Sequence, residues 1–169
     1  MAQVQRSEDR YAAAVARVYA NDRIEVTWEP GYCIHWAACI RGSMKAFNPQ
    51  RRPWIDVDAE TPERIAEIVS RCPTGALHAR WKDGTPAEMP PEPLVATPTL
   101  DGPLFLRGHI RMLDREGRVI REDTRVALCR CGHSQNKPFC DDSHFSAQFQ
   151  SADEHLGPDP DDPDAFASA

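Results

Sequence analysis

The sequence predicts an α+β protein made of two small units, and three observations carry that expectation. RIEVTW and ALHARW alternate apolar and polar residues in the period of a strand, with Ile24, Val26 and Trp28 on one side of the first and Leu77, Ala79 and Trp81 on one side of the second. Between them, TPERIAEIVSRC spaces its apolar residues as one helical stripe. Beyond residue 103 the apolar segments are all short and β-rich.

The helix is specified in detail. Thr61 is a natural N-cap and Pro62 suits the first helical position, where its missing N–H costs nothing. Ile65, Ile68, Val69 and Cys72 share one face, so Cys72 is expected at the buried end of the helix. Residues 9–20 are rich in Ala and suggest a further helix. In the second half PLFLRG, HIRMLD, RVI and TRVAL read as short strands, interrupted at Arg107-Gly108 and at the turn Arg115-Glu116-Gly117. The last of them leads directly into Cys129.

Six of the 15 prolines fall between Pro86 and Pro103, and this shift in composition divides the chain. The expected organisation is a first unit over 1–85, a proline-rich linker over 86–93, a second unit over 94–150 and an acidic tail over 151–169. The tail holds six Asp/Glu, no Lys or Arg and three prolines, a composition expected to stay disordered. Without it the remaining acids and bases balance, so the net charge of −6 implies no face for nucleic acid. No apolar run approaches the roughly 18–20 residues of a membrane span, and the N-terminus lacks the apolar core of a secretory signal. A soluble, cytoplasmic protein is expected, with no membrane partner. In that reducing compartment six clustered cysteines imply metal or redox chemistry rather than disulfides.

The cysteines divide three and three. In CRCGHSQNKPFCDDSH, Cys129, Cys131 and Cys140 are joined by His144, a set of four soft or borderline donors. By spacing alone this set suits a three-cysteine, one-histidine zinc site as well as iron. The order C-x-C, Ser134, Asn136-Lys137-Pro138-Phe139 and then CDDSH resembles the CDGSH (mitoNEET-like) iron-sulfur family. The likeness runs upstream through GPLFLRGHIRMLDREGRVIREDTRVAL and covers about residues 94–150. It implies a compact β-rich domain holding a [2Fe-2S] cluster, with Cys129 and Cys131 on one iron and Cys140 and His144 on the other. His133 is outside the family's ligand positions. Asp142 stands where the family usually has glycine; Asp is among the few residues that tolerate positive φ. The family also allows a homodimer.

In the first half Cys33 and Cys39 lie six apart with Trp36 midway, and Cys72-Pro73 follows the helix. Ferredoxin-type sites use closely spaced cysteines and a remote Cys-Pro; here the middle cysteine is Trp36. Three thiolates suit a [3Fe-4S] cluster, or a [4Fe-4S] cluster with another donor at the corner. His35 is the nearest candidate, although a lone histidine is more often structural. The segment from RIEVTW through YCIHWAACIRG to SRCPTGAL resembles the divergent single-cluster ferredoxins that bind [4Fe-4S], over about residues 20–82. This implies a small ferredoxin-like N-terminal domain.

No phosphate-binding loop and no catalytic triad order is present, so no enzymatic activity is expected. The expected function is electron transfer with an unidentified redox partner. The alternatives are storage of clusters and their transfer to apo-acceptor proteins, or a structural zinc role.

Overall fold

The computed structural model describes residues 15–152. They form an α+β fold with two three-stranded antiparallel sheets. Strands β1 (Arg17–Ala20), β2 (Ile24–Trp28) and β3 (Leu77–Trp81) make the first, in the order β1-β2-β3. Strands β4 (Val95–Pro98), β5 (Leu104–Leu113) and β6 (Val119–Leu128) make the second. A 3₁₀ turn (Pro30–Tyr32) and helices α1 (Ala38–Gly42) and α2 (Pro62–Ser70) belong to the first unit, and α3 (Ser143–Ser146) closes the second.

Helix α2 forms as its sequence dictates. The Thr61 hydroxyl accepts from Arg64 N at 3.2 Å, and Ile65, Ile68 and Val69 are buried against Ile24, Val26, Phe47 and Ile55. Each such side chain contributes about 1.5–3 kcal/mol on leaving water. The helix expected over 9–20 is corrected where it is described, because Arg17–Ala20 is a strand paired with β2, Tyr19 opposite Val26. Ladder pairing outweighs the helix preference of a few alanines. Residues 9–14, and the tail beyond residue 152, lie outside the described residues. In the second sheet PLFLRG and HIRMLD are one strand rather than two, with a register shift between Arg107 and Ile110. Gly108 sits there at φ +146, a conformation that lets the strand bulge without breaking. RVI and TRVAL likewise merge into β6.

The two units pack on each other. Trp36 meets Phe105 edge-on at 5.1 Å, and Tyr32 meets Phe139 at 5.0 Å. Arg121 forms a two-pronged ion pair with Glu29 at 3.0 and 2.8 Å, pairs with Asp123, and lies over the Tyr32 ring at 4.0 Å. Arg125, 2% exposed, donates to the carbonyls of Val69, Cys72 and Leu77 at 2.6–2.7 Å and pairs with Glu88 at 3.0 Å. A cation is well placed at the Val69 and Cys72 carbonyls, which lie at the negative end of α2. Gly75, at φ +69, brings the chain so close to β6 that a Cβ would lie 2.4 Å from the Arg125 carbonyl oxygen. The proline-rich stretch contributes Glu88, which also accepts from the Thr124 hydroxyl at 2.6 Å.

His78 joins this interface, its Nε2 3.1 Å from Asp123 and its Nδ1 3.7 Å from Glu88. Burial lowers its pKa, but the two carboxylates prevail and raise it to about 9. The folded state therefore holds a proton that the unfolded chain loses near pH 6.5, so the stabilisation is full below that pH and disappears as pH rises through about 9. Urea unfolding should show the wild type losing on the order of 2 kcal/mol across this window, and His78→Gln should be flatter by that amount. Parallel curves for the two proteins would remove His78 from the interface energetics.

Candidate metal centres

The second donor set is assembled by the end of β6. Cys129 N donates to Pro138 O and Cys140 N to Ala127 O, both at 2.9 Å, with Leu128 and Phe139 bridged between them. This short ladder sets Cys140 beside the strand that delivers Cys129. The Ser134 hydroxyl donates to Phe139 O at 2.6 Å and accepts from Asn136 N, while Asp141 accepts from Gln135 N and Ser143 N. The loop is thus closed on itself. Asp142 adopts φ +69, the glycine-like conformation anticipated at that position, and starts α3, which carries His144.

Cys129 Sγ and Cys131 Sγ are 3.7 Å apart, and Cys140 Sγ is 3.5 Å from His144 Nδ1. These are the edges expected of tetrahedral metal coordination, about 3.8 Å for sulfur–sulfur and about 3.5 Å for sulfur–nitrogen at ordinary bond lengths. The four donors nevertheless do not converge on one point. Among the described residues, the group of three whose ligand atoms all lie within 4.8 Å of one another is Cys140, Asp142 and His144, and neither Cys129 nor Cys131 joins it. A single tetrahedral ion would draw all four together, whereas two bridged ions need two pairs.

The local electrostatics suit metal binding. His144 is 6% exposed, and burial holds its imidazole below the ordinary pKa, in the neutral form a ligand requires. Burial pushes the Cys140 thiol up to about 11. Burial acts the same way on Cys129, but the Ser134 amide, the Cys131 thiol and the Gly132 amide outweigh it and leave that pKa lowered. His133 N donates to Cys131 Sγ at 3.4 Å; its ring is exposed, as expected of a residue outside the ligand set.

Cys33, Cys39 and Cys72 come from three places, the loop after the 3₁₀ turn, helix α1 and the loop after α2. All three line one small cavity with Trp28, Trp36 and Trp54. All six cysteines of the chain are free thiols. Burial raises Cys33, and it pushes Cys39 up to about 12 with the help of Cys72 and Cys33. Three mutually repelling thiolates in an apolar cavity are unfavourable without a cation, and a bound cation reverses that balance. The indole N–H of Trp28 is directed toward the Cys33 thiol and that of Trp54 is buried with no acceptor among the described residues, as suits a cavity that takes a sulfur-rich anionic group.

His35 differs from the expectation of a fourth ligand. Its side chain is 86% exposed, its Nδ1 lies 3.7 Å from Asp142 Oδ2, and it is not among the residues lining the three-cysteine cavity. At positive φ the backbone directs the ring outward, and it is the His35 backbone that hydrogen-bonds toward Cys33. Asp142 was read from the sequence only as a glycine replacement; its carboxylate also joins the Cys140 and His144 donors, from which it is two residues away in the chain.

The fold and these donor sets define an iron-binding protein with two sites. The profile of a family described as divergent 4Fe-4S mono-cluster matches residues 19–82, and that of the CDGSH-type iron-binding zinc finger matches 101–145. The uncharacterized protein YjdI of Escherichia coli K12 is 36% identical over 66 residues, which are 39% of this chain and 87% of YjdI; the protein of the same name from strain O157:H7 matches equally. The chain belongs to the divergent 4Fe-4S mono-cluster family through its first half and joins to it a CDGSH-type iron-binding domain. No described helix is long and apolar enough to cross a membrane.

Proposed function

We propose that this chain is a non-catalytic electron carrier with two different clusters, a [2Fe-2S] cluster on Cys129, Cys131, Cys140 and His144 and a [4Fe-4S] or [3Fe-4S] cluster on Cys33, Cys39 and Cys72. The observation that carries the reading is the separation of the C-terminal donors into two pairs, each at the edge length of a tetrahedron. A cluster bound in either site supplies a one-electron couple. The chain's own part is to keep water from Cys72 and Cys140, to hold His144 neutral and to fix the donors before metal arrives. A second reading, delivery of clusters to apo-acceptor proteins, is favoured by the half-exposed Cys129 and Cys131 and by Phe145, 72% exposed beside His144.

Anaerobic purification with iron, sulfide and zinc analysis tests the first reading. Roughly six irons and six sulfides per chain are expected for one [2Fe-2S] and one [4Fe-4S] cluster, with iron lower for the three-iron form. Stoichiometric zinc without sulfide would overturn it in favour of a mononuclear site at Cys140, Asp142 and His144. Fast reversible reduction with retained iron supports electron transfer, and loss of iron and sulfide to an apo-protein supports delivery.

A further inference from the structure

The segment Ile34–Trp36 links the two donor sets. Ile34 is bonded to Cys33 and is buried, 5% exposed, in one cluster with Cys140, Phe105 and Ala127, against which Trp36 packs. The chain thus passes from a ligand of one site to a side chain packed with a ligand of the other. Beside it runs a polar contact: His35 Nδ1 lies 3.7 Å from Asp142 Oδ2, and Asp142 is grouped with Cys140 and His144. The Asp142 charge also reaches the Cys33 thiol.

We propose that Cys33–Ile34 and the packing of Ile34 with Cys140 form an internal electron route, by which the chain passes one electron from the three-cysteine site to the histidine-containing site. This rests on the reading of both sites as iron-sulfur clusters. Electron tunnelling weakens exponentially with separation and is attenuated less by covalent bonds than by gaps. The route has one residue of backbone, with Cα atoms 3.8 Å apart as across any trans peptide, and then the packed cluster of Ile34, Phe105, Ala127 and Cys140, in which neighbouring apolar groups lie about 4 Å apart. Trp36 on Phe105 and Tyr32 on Phe139 pack at this interface, and a cavity of about 510 Å³ lined by Ile34, Trp36, Asp142 and His144 opens beside the route, which therefore runs through the buried Ile34 side chain rather than across that space. One electron leaves an Fe(II) of the first site, which becomes Fe(III), and an Fe(III) of the second becomes Fe(II); no bond or proton is exchanged. The electron enters from a low-potential one-electron reductant. The direction follows from the donors, because neutral imidazole stabilises oxidised iron less than thiolate does.

The test uses the full chain with both clusters loaded, as judged by iron and sulfide content. In a reductive titration followed by electron paramagnetic resonance, the signal of the site reduced first should broaden, and need several-fold more microwave power to saturate, once the second site also carries an unpaired spin. If the fully reduced spectrum is the plain sum of two unperturbed signals, the sites are too far apart and the route is overturned. If only one cluster is present, the two-cluster reading itself fails, and the proposal with it. Ile34→Ala then tests the path: pulse reduction should show several-fold slower transfer between sites, with unchanged iron content and midpoint potentials, and Ile34→Leu should restore the rate. Equal rates in wild type and Ile34→Ala would exclude Ile34 as the route.

Discussion

Arg125→Met should destabilise the protein by about 3–5 kcal/mol, the usual consequence of removing one partner from a buried charge network. The guanidinium satisfies the carbonyls of Val69, Cys72 and Leu77 and neutralises Glu88, and methionine does none of this although it fills similar space. At this chain length the melting temperature should fall by roughly 10 °C. Both visible chromophores should bleach in one transition in the wild type, because Arg125 ties the loop of Cys72 to β6, the strand that ends immediately before Cys129. Arg125→Lys should recover only part of the loss, since an ammonium cannot reproduce the planar fork that reaches three carbonyls at once. Melting followed by absorbance and circular dichroism checks this; a loss below about 1 kcal/mol would show that the interface holds without the arginine.

His144→Cys should make the C-terminal site harder to reduce, by on the order of 100 mV, and resistant to acid. Two histidines raise the potential of Rieske centres from about −400 mV to between −150 and +300 mV, and one should give a smaller shift. Protons compete with metal for an imidazole nitrogen, so the wild-type site should be lost as pH falls toward the range where imidazole protonates, about 6.5 for the free side chain. Burial of His144 lowers that value, so loss should begin somewhat below it. Thiolate persists to lower pH once bound to metal. Absorbance through an acid titration and the midpoint potentials of both proteins give the result. Identical acid profiles and potentials would remove His144 from the ligand set.

Several elements were readable because their signals are local. Thr61-Pro62 and the stripe through Ile65, Ile68 and Val69 specify α2 with its start, since capping and face periodicity depend on neighbours within a few residues. The alternation in RIEVTW and ALHARW marks β2 and β3 for the same reason. Residues 17–20 failed this test: alone they favour helix, and only the edge of β2 makes them a strand. β4 was hidden in the proline-rich stretch, where its pairing with β5 is the sole signal. The outward ring of His35 depends on a positive φ that spacing cannot reveal.

By itself, the sequence determined which atoms are offered to metal. Three cysteines fall on each side of a proline-rich break, His144 completes the second set, and Asp142 is able to take the conformation that glycine would otherwise supply. Donor identity is a property of residue type and near-neighbour spacing, and both are written in the chain. Tertiary structure alone decided how the donors are grouped and joined. The gathering of Cys33, Cys39 and Cys72 around one cavity, the burial of Ile34 in one cluster with Cys140 and the grip of Arg125 on the carbonyls of Val69, Cys72 and Leu77 all link residues distant in sequence. The last two exist because apolar side chains and backbone carbonyls of the first unit are satisfied by groups of the second, and no periodicity within either segment encodes that match.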